Sequence, residues 1–254
     1  MQKPVRGLQE KYCKKRNSIH NMDREVLFEK FLEDCKNRKE WCGQGNPNAD
    51  ILIIGKEPHN DYFISVEEEI TRRLLEQENI CRSGFGEAPR DSKNPTWCNY
   101  QMLIENVYRP QKVFNPALFD FEKYAFTTEI NTIFRPKAVL DAETRNNIDK
   151  RLCFFKDSEF INSFPVIILA CNNFISNDKE SGFLINNTFG VKFDGKERGE
   201  HKEKTRGHWF YTHHSDNGEK LVIHTRQLSF LFDYSLLEHI SDEIKEHLRK
   251  LGLI

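Results

Sequence analysis

Gly45-Asn46-Pro47-Asn48-Ala49-Asp50 runs into Ile51-Leu52-Ile53-Ile54 and then into Gly55-Lys56-Glu57-Pro58-His59. The four aliphatic residues are too few for an isolated helix and β-branched enough for a strand, and turn-forming residues punctuate both ends. This strand constrains the whole chain. In an open α/β sheet, ligands sit outside the carboxyl ends of such strands, so Lys56, Glu57, His59 and Asn60 would be delivered to a site.

Further strands and helices alternate along the chain. Asp23 is placed to cap a helix to about Lys39, with Val26, Leu27, Phe31 and Leu32 at helical spacing. Helices are expected near Val66 to Glu78, Asn99 to Tyr108 and Asp141 to Lys156, the last carrying Ile148, Leu152 and Phe155 at helical spacing. Ala125 to Asn131 is a second strand. Pro165 to Cys171 is a third, and its unbroken apolar character suits a parallel sheet covered on both faces. Residues 182 to 218 are read as loop-rich, with an exposed loop of alternating charge from Lys196 to Lys204. Residues 208 to 214 and 219 to 224 can pair across the hairpin signal Asn217-Gly218, and an amphipathic helix from Tyr234 to Leu251 closes the chain. The expectation is a three-layer α/β/α sandwich around a four-stranded, mainly parallel sheet, forming one domain over 23–254 behind a basic extension at 1–22.

Composition removes several function classes. Lys plus Arg number 38 against 39 Asp plus Glu, so a nucleic-acid surface would have to come from local clustering. The segment 81 to 97 offers one, interleaving Arg82, Arg90 and Lys93 with Phe85 and Trp97; a merely solvated loop is an equal reading. Seven scattered cysteines with no C-x-x-C pair suit reduced thiols, not a disulfide framework or zinc site. No apolar run reaches the roughly 18 residues of a membrane span. A soluble, cytoplasmic monomer without a membrane partner is expected. His213 and His214, with His208 nearby, invite a metal reading, but neighbouring residues on a strand face opposite ways, so no metal is expected.

Three strand ends carry polar residues in order: Glu57, Asn131 and His224. The phrase GNPNADILIIGKEPH, the segment Thr128 to Pro136 (TEINTIFRP from Thr128 onward, including Asn131) and His224-Thr225-Arg226-Gln227-Leu228-Ser229 together resemble the three ordered motifs of the uracil-DNA glycosylase superfamily. The resemblance covers about residues 40 to 250. It implies a uracil-DNA glycosylase-like fold and an enzyme that flips a pyrimidine out of DNA and hydrolyses its N-glycosidic bond without a cofactor.

By the same resemblance, Glu57 stabilises the sugar cation and orients a water, His224 donates to the departing base, and Asn131 reads the base edge. Lys56, His59, Asn60, Phe63 and Trp97 would line the substrate. Leu228 falls where the family inserts an apolar wedge into the emptied stack, and Arg226, Gln227 and Ser229, with Arg82 and Arg90, would hold the DNA. Lys56 could also act as an amine nucleophile, although a solvated or paired lysine is the commoner case.

The departures from the family pattern carry information. His59 replaces the aromatic wall that excludes substituents at C5 of uracil, which points to a 5-substituted, bulky, phage-type cytosine and a role in antiviral defence; uracil in base-excision repair is the other option. The family's iron–sulfur branch brings a C-x-x-C, whereas Cys35 and Cys42 are seven apart and Phe134 stands in a ligand's place, so no cluster is expected. A catalytically inactive DNA-binding protein of the same fold is the alternative from a different class.

Overall fold

The computed structural model describes residues 24–56, 95–110, 120–133, 139–176, 181–198, 209–229 and 234–254, the side chains of 181–183 and 196–198 excepted. In chain order the elements are α1 (24–38), β1 (Gln44–Gly45), β2 (Ile51–Gly55), α2 (Pro95–Tyr108), β3 (Ala125–Glu129), α3 (Ala142–Asp157), α4 (Glu159–Asn162), β4 (Val166–Leu169), α5 (Ser181–Phe189), β5 (Lys192–Arg198), β6 (Phe210–His214), β7 (Leu221–Thr225) and α6 (Tyr234–Lys250). The expected helix near Val66 to Glu78 lies outside the described residues.

Among the described residues seven strands join one sheet in the order β1-β3-β2-β4-β7-β6-β5. Its centre, β3-β2-β4-β7, is parallel throughout. β1 is antiparallel to β3 at one edge, and β6 and β5 extend the other edge in antiparallel fashion. The four-stranded expectation is therefore corrected to seven. β1 has only two residues, too few to show a period, and β5 is the charged run Lys192–Arg198, which reads as a loop by composition but is the kind of charged strand that sheets place at an edge. α5 likewise occupies part of the segment expected to be loop.

Strand alternation divides the core in two. Leu52, Ile54, Phe126, Ile167 and Leu169 face α1, α3, α4 and α5, while Ile51, Ile53, Ala125, Val166, Ile168 and Ile223 face α2 and α6. Both faces are covered, which is why β2 and β4 are buried at every position. On the first face Phe28, Phe126, Phe160 and Phe164 meet edge-on or tilted at 5.1–6.3 Å between ring centroids. α1 buries Phe28, Phe31, Leu32 and Cys35, spaced i, i+3, i+4, i+7. Val26, expected on that face, lies two residues round the helix from Phe28 and is 70% exposed.

The opening of the first motif is structural. A side chain at Gly45 would strike the Ala125 carbonyl, and its φ of +117° suits glycine, so only glycine lets β1 lie against β3. Asn46 closes the following turn: its Oδ1 accepts from the Asn48 amide at 2.9 Å and its Nδ2 donates to the Lys123 carbonyl at 2.9 Å. α3 starts as its sequence indicates, with the Asp141 carboxylate accepting from the Thr144 amide at 2.8 Å. Asp141→Ala should cost about 1 kcal/mol of unfolding free energy, read as a lowered urea midpoint at unchanged slope.

Candidate functional site

Four parallel strands ending along one edge bring four chain segments together. β2 ends at Gly55 opposite Glu129 of β3, and the ladder continues past the strands, the Ile130 amide donating to the Gly55 carbonyl at 3.0 Å and the Asn131 amide to the Lys56 carbonyl at 2.9 Å. On the other side Ile54 pairs with Leu169, and Leu169 with His224. Lys56, Asn131 and His224 therefore share the carboxyl edge of the sheet with Glu129, Cys171 and Asn172.

The surroundings of each side chain differ. Lys56 is half-buried, its ammonium 4.9 Å from the centre of the Phe174 ring. Asn131 is fully buried, and its Oδ1 accepts from the Ile133 amide at 3.3 Å. His224 is 1% exposed, and its Nε2 lies 3.2 Å from the Asn172 carbonyl. A carbonyl only accepts, so this contact assigns the proton to Nε2 and leaves Nδ1 as the acceptor nitrogen. Burial pulls the His224 imidazole down to about 4 against the pull of that carbonyl, so the ring is neutral at physiological pH. Trp209 meets it edge-on at 5.2 Å. Asn172 holds its carbonyl in place from a left-handed conformation, φ +50°, which asparagine tolerates better than most residues.

Cys171, beside these groups, is not a nucleophile in this state. Burial pushes its thiol up to about 12, with the Lys56 ammonium pulling the other way.

α2 and the turn after β7 are clasped together. Asn99 Nδ2 donates to the Leu228 carbonyl at 3.2 Å, which brings half-buried Trp97 on the first turn of α2 to the same side of the sheet as half-buried Arg226, Gln227 and Ser229. Leu228 itself is fully buried among α2 and α6 side chains. The wedge expected at Leu228 would require the residue to leave this place, where it completes the second core. Glu57, His59, Asn60, Phe63, Arg82 and Arg90 lie outside the described residues, as do His208 and Phe134.

His213 and His214 alternate across β6. His213 is buried with Nδ1 3.1 Å from Asn186 Oδ1, and His214 turns toward His247, 6.4 Å between ring centres. Among the described residues no group of three His, Cys, Asp or Glu converges to hold a metal ion, and no helix is long and apolar enough to cross a membrane. A pocket of about 190 Å³ opens between α3, α5 and the turn 173–176, lined by Arg145, Asp149, Leu152, Phe174 and Leu184 among others, and none of the described candidate site residues lines it.

Two residues at the edge escaped sequence reading. Glu129 lies within the second motif, yet its importance depends on Gly55: a side chain at 55 would strike the Glu129 carboxylate. Asn172 had no signal, since it acts through a backbone carbonyl. No protein-family model matches the chain, and no curated protein matches it significantly.

Proposed function

We propose that this protein is a DNA glycosylase of the uracil-DNA glycosylase type that removes a 5-substituted cytosine from DNA. The observation that supports this reading most is the convergence of Lys56, Asn131 and His224, one from each resembling motif, on one carboxyl edge of a parallel sheet. Lys56 and His224 are 168 positions apart in the chain and meet at this edge only through the strand pairing.

In the proposed reaction the bond between C1′ and the base nitrogen breaks, its electron pair leaving on the base. Water adds its oxygen to C1′, gives a proton to the Glu57 carboxylate, and the released base takes up a proton. A neutral imidazole with its proton on Nε2 can donate that hydrogen to a base oxygen, a contribution of about 3 kcal/mol for one well-placed donor. For His224 this requires exchanging the Asn172 carbonyl for the base. Asn131, whose Oδ1 accepts from the Ile133 amide, carries both a donor and an acceptor, the pair that reading a base edge requires.

The buried, committed state of His224 favours a second reading, a protein that binds DNA without cleaving it. One assay separates the two: abasic-site formation on duplexes carrying uracil, 5-hydroxymethylcytosine or glucosylated 5-hydroxymethylcytosine. Cleavage of the substituted cytosines is expected, with Glu57→Ala slowing it by about 10²-fold or more while DNA binding persists. Cleavage of uracil alone would remove the assigned specificity. Binding without any abasic product would establish the silent reading instead.

A further inference from the structure

We propose that Glu129 is a second functional carboxylate of this site, held against Gly55 so that its negative charge faces the cationic sugar formed as the base departs. This rests on the glycosylase reading and extends it to a residue that none of the resembling motifs assigns a role.

Glutamate is an uncommon residue at such a strand end. Its neighbours on β3 are Ala125, Phe126, Thr127 and Thr128, all buried, and glutamate is disfavoured in strands and costly to desolvate. Positions where such local rules are broken concentrate at functional sites. The main-chain carbonyl of Glu129 is already used, accepting from Arg151 Nε at 3.3 Å, so the strand end is anchored whatever the side chain does.

The carboxylate's place is well defined. It occupies the space a side chain at 55 would fill, directly at the end of β2 from which Lys56 and Glu57 follow. Its charge reaches the buried Tyr100 on α2 and the Cys171 thiol after β4, in both cases raising the pKa, while the Lys56 ammonium acts on the same thiol in the opposite sense. Glu129, Lys56, Tyr100 and Cys171 thus form one electrostatic neighbourhood across three strand ends and α2. In surroundings of low dielectric, a fixed negative charge there acts on a developing cation more strongly than it would in water.

A carboxylate of this kind has a signature that a structural one lacks. It repels the polyanionic substrate in the ground state and attracts the sugar only as the cation develops, so removing its charge should slow the chemical step without weakening DNA binding. Two variants supply the test. Glu129→Gln removes the charge at nearly constant shape. Gly55→Ala keeps the charge but displaces the flexible end of Glu129, at a backbone position whose φ is not in the left-handed region.

Single-turnover rates and dissociation constants are measured on whichever duplex the wild-type protein opens, with thermal melting alongside. The expected result is a rate lowered about tenfold or more in both variants, binding of the same duplex unchanged or tighter, and melting within a few degrees of wild type. A wild-type rate in both variants would overturn the role of Glu129 while leaving the glycosylase reading intact. Loss of rate and binding together, with lowered melting, would make Glu129 structural and also overturn the proposal. Absence of product from the wild-type protein itself would instead count against the glycosylase reading.

Discussion

Arg151→Ala is expected to destabilise the protein by about 3–5 kcal/mol, the usual result of removing one partner from a buried charged network. The Arg151 side chain is 1% exposed, and it ties α3 to two other parts of the fold. Nη1 donates to Glu40 Oε2 at 2.8 Å, Nη2 to the Trp41 carbonyl at 2.9 Å and to Thr128 Oγ1 at 3.1 Å, and Nε to the Glu129 carbonyl at 3.3 Å. The guanidinium also lies 4.7 Å from the Phe155 ring centre. Its loss leaves two carbonyls and a hydroxyl short of a donor, removes one of the two guanidinium groups on the Glu40 carboxylate, which Arg38 still holds at 3.0 and 3.1 Å, and opens a cavity beneath the end of β3. Against a typical total of about 5–15 kcal/mol, this is a large fraction. Urea unfolding checks it, and pairing Arg151→Met with Glu40→Gln should recover part of the loss, because the carboxylate that keeps only its Arg38 partner is then neutral. A single variant as stable as wild type would show that the network carries no net stability.

Acidification is the second large effect. His213 and His224 are both held neutral by burial, each drawn from 6.5 down to about 4. Asp194 opposes the shift at His213 and the Asn172 carbonyl opposes it at His224, without cancelling it. Folding therefore selects the neutral rings. Their contribution is complete above about pH 6.5 and drains as pH falls toward 4, because the unfolded chain takes up protons first. A shift of this size corresponds to about 3 kcal/mol for each ring. Proton uptake by each ring is further depressed by a neighbouring histidine, His214 acting on His213 and His213 on His224, so the two losses overlap. Unfolding free energy followed from pH 7 to pH 4 should decline steeply through this window, and His224→Gln should flatten the decline. An unchanged slope in that variant would place the acid sensitivity elsewhere.

Much of the architecture was legible because burial on both faces of a sheet leaves a strong local mark. The runs at Ile51 and Val166 have no polar alternation, and the strands they form are the middle of the parallel core. Ile148, Leu152 and Phe155 at helical spacing announced α3, and Asn217-Gly218 announced the β6–β7 hairpin, in which Gly218 takes φ +70°. β1 and β5 were not legible, one too short and the other too charged to look like a strand. Leu228 shows the corresponding limit at the site: an apolar residue in a motif reads equally well as a wedge or as core, and only packing against α2 and α6 distinguishes them.

By itself the amino-acid sequence marked β2, β3, β4, β6 and β7 and put Lys56, Asn131 and His224 at or just beyond the ends of three of them. Strand order, and with it the meeting of these residues, is a product of long-range pairing: Ile54 lies beside both Thr128 and Leu169, and Leu169 beside His224. Only the assembled fold directs the Nε2 proton of His224 to the Asn172 carbonyl and lays the Glu129 carboxylate against Gly55. Strand character is written in local side-chain chemistry, whereas hydrogen-bond partners and the exclusion of water depend on groups that are neighbours only after folding.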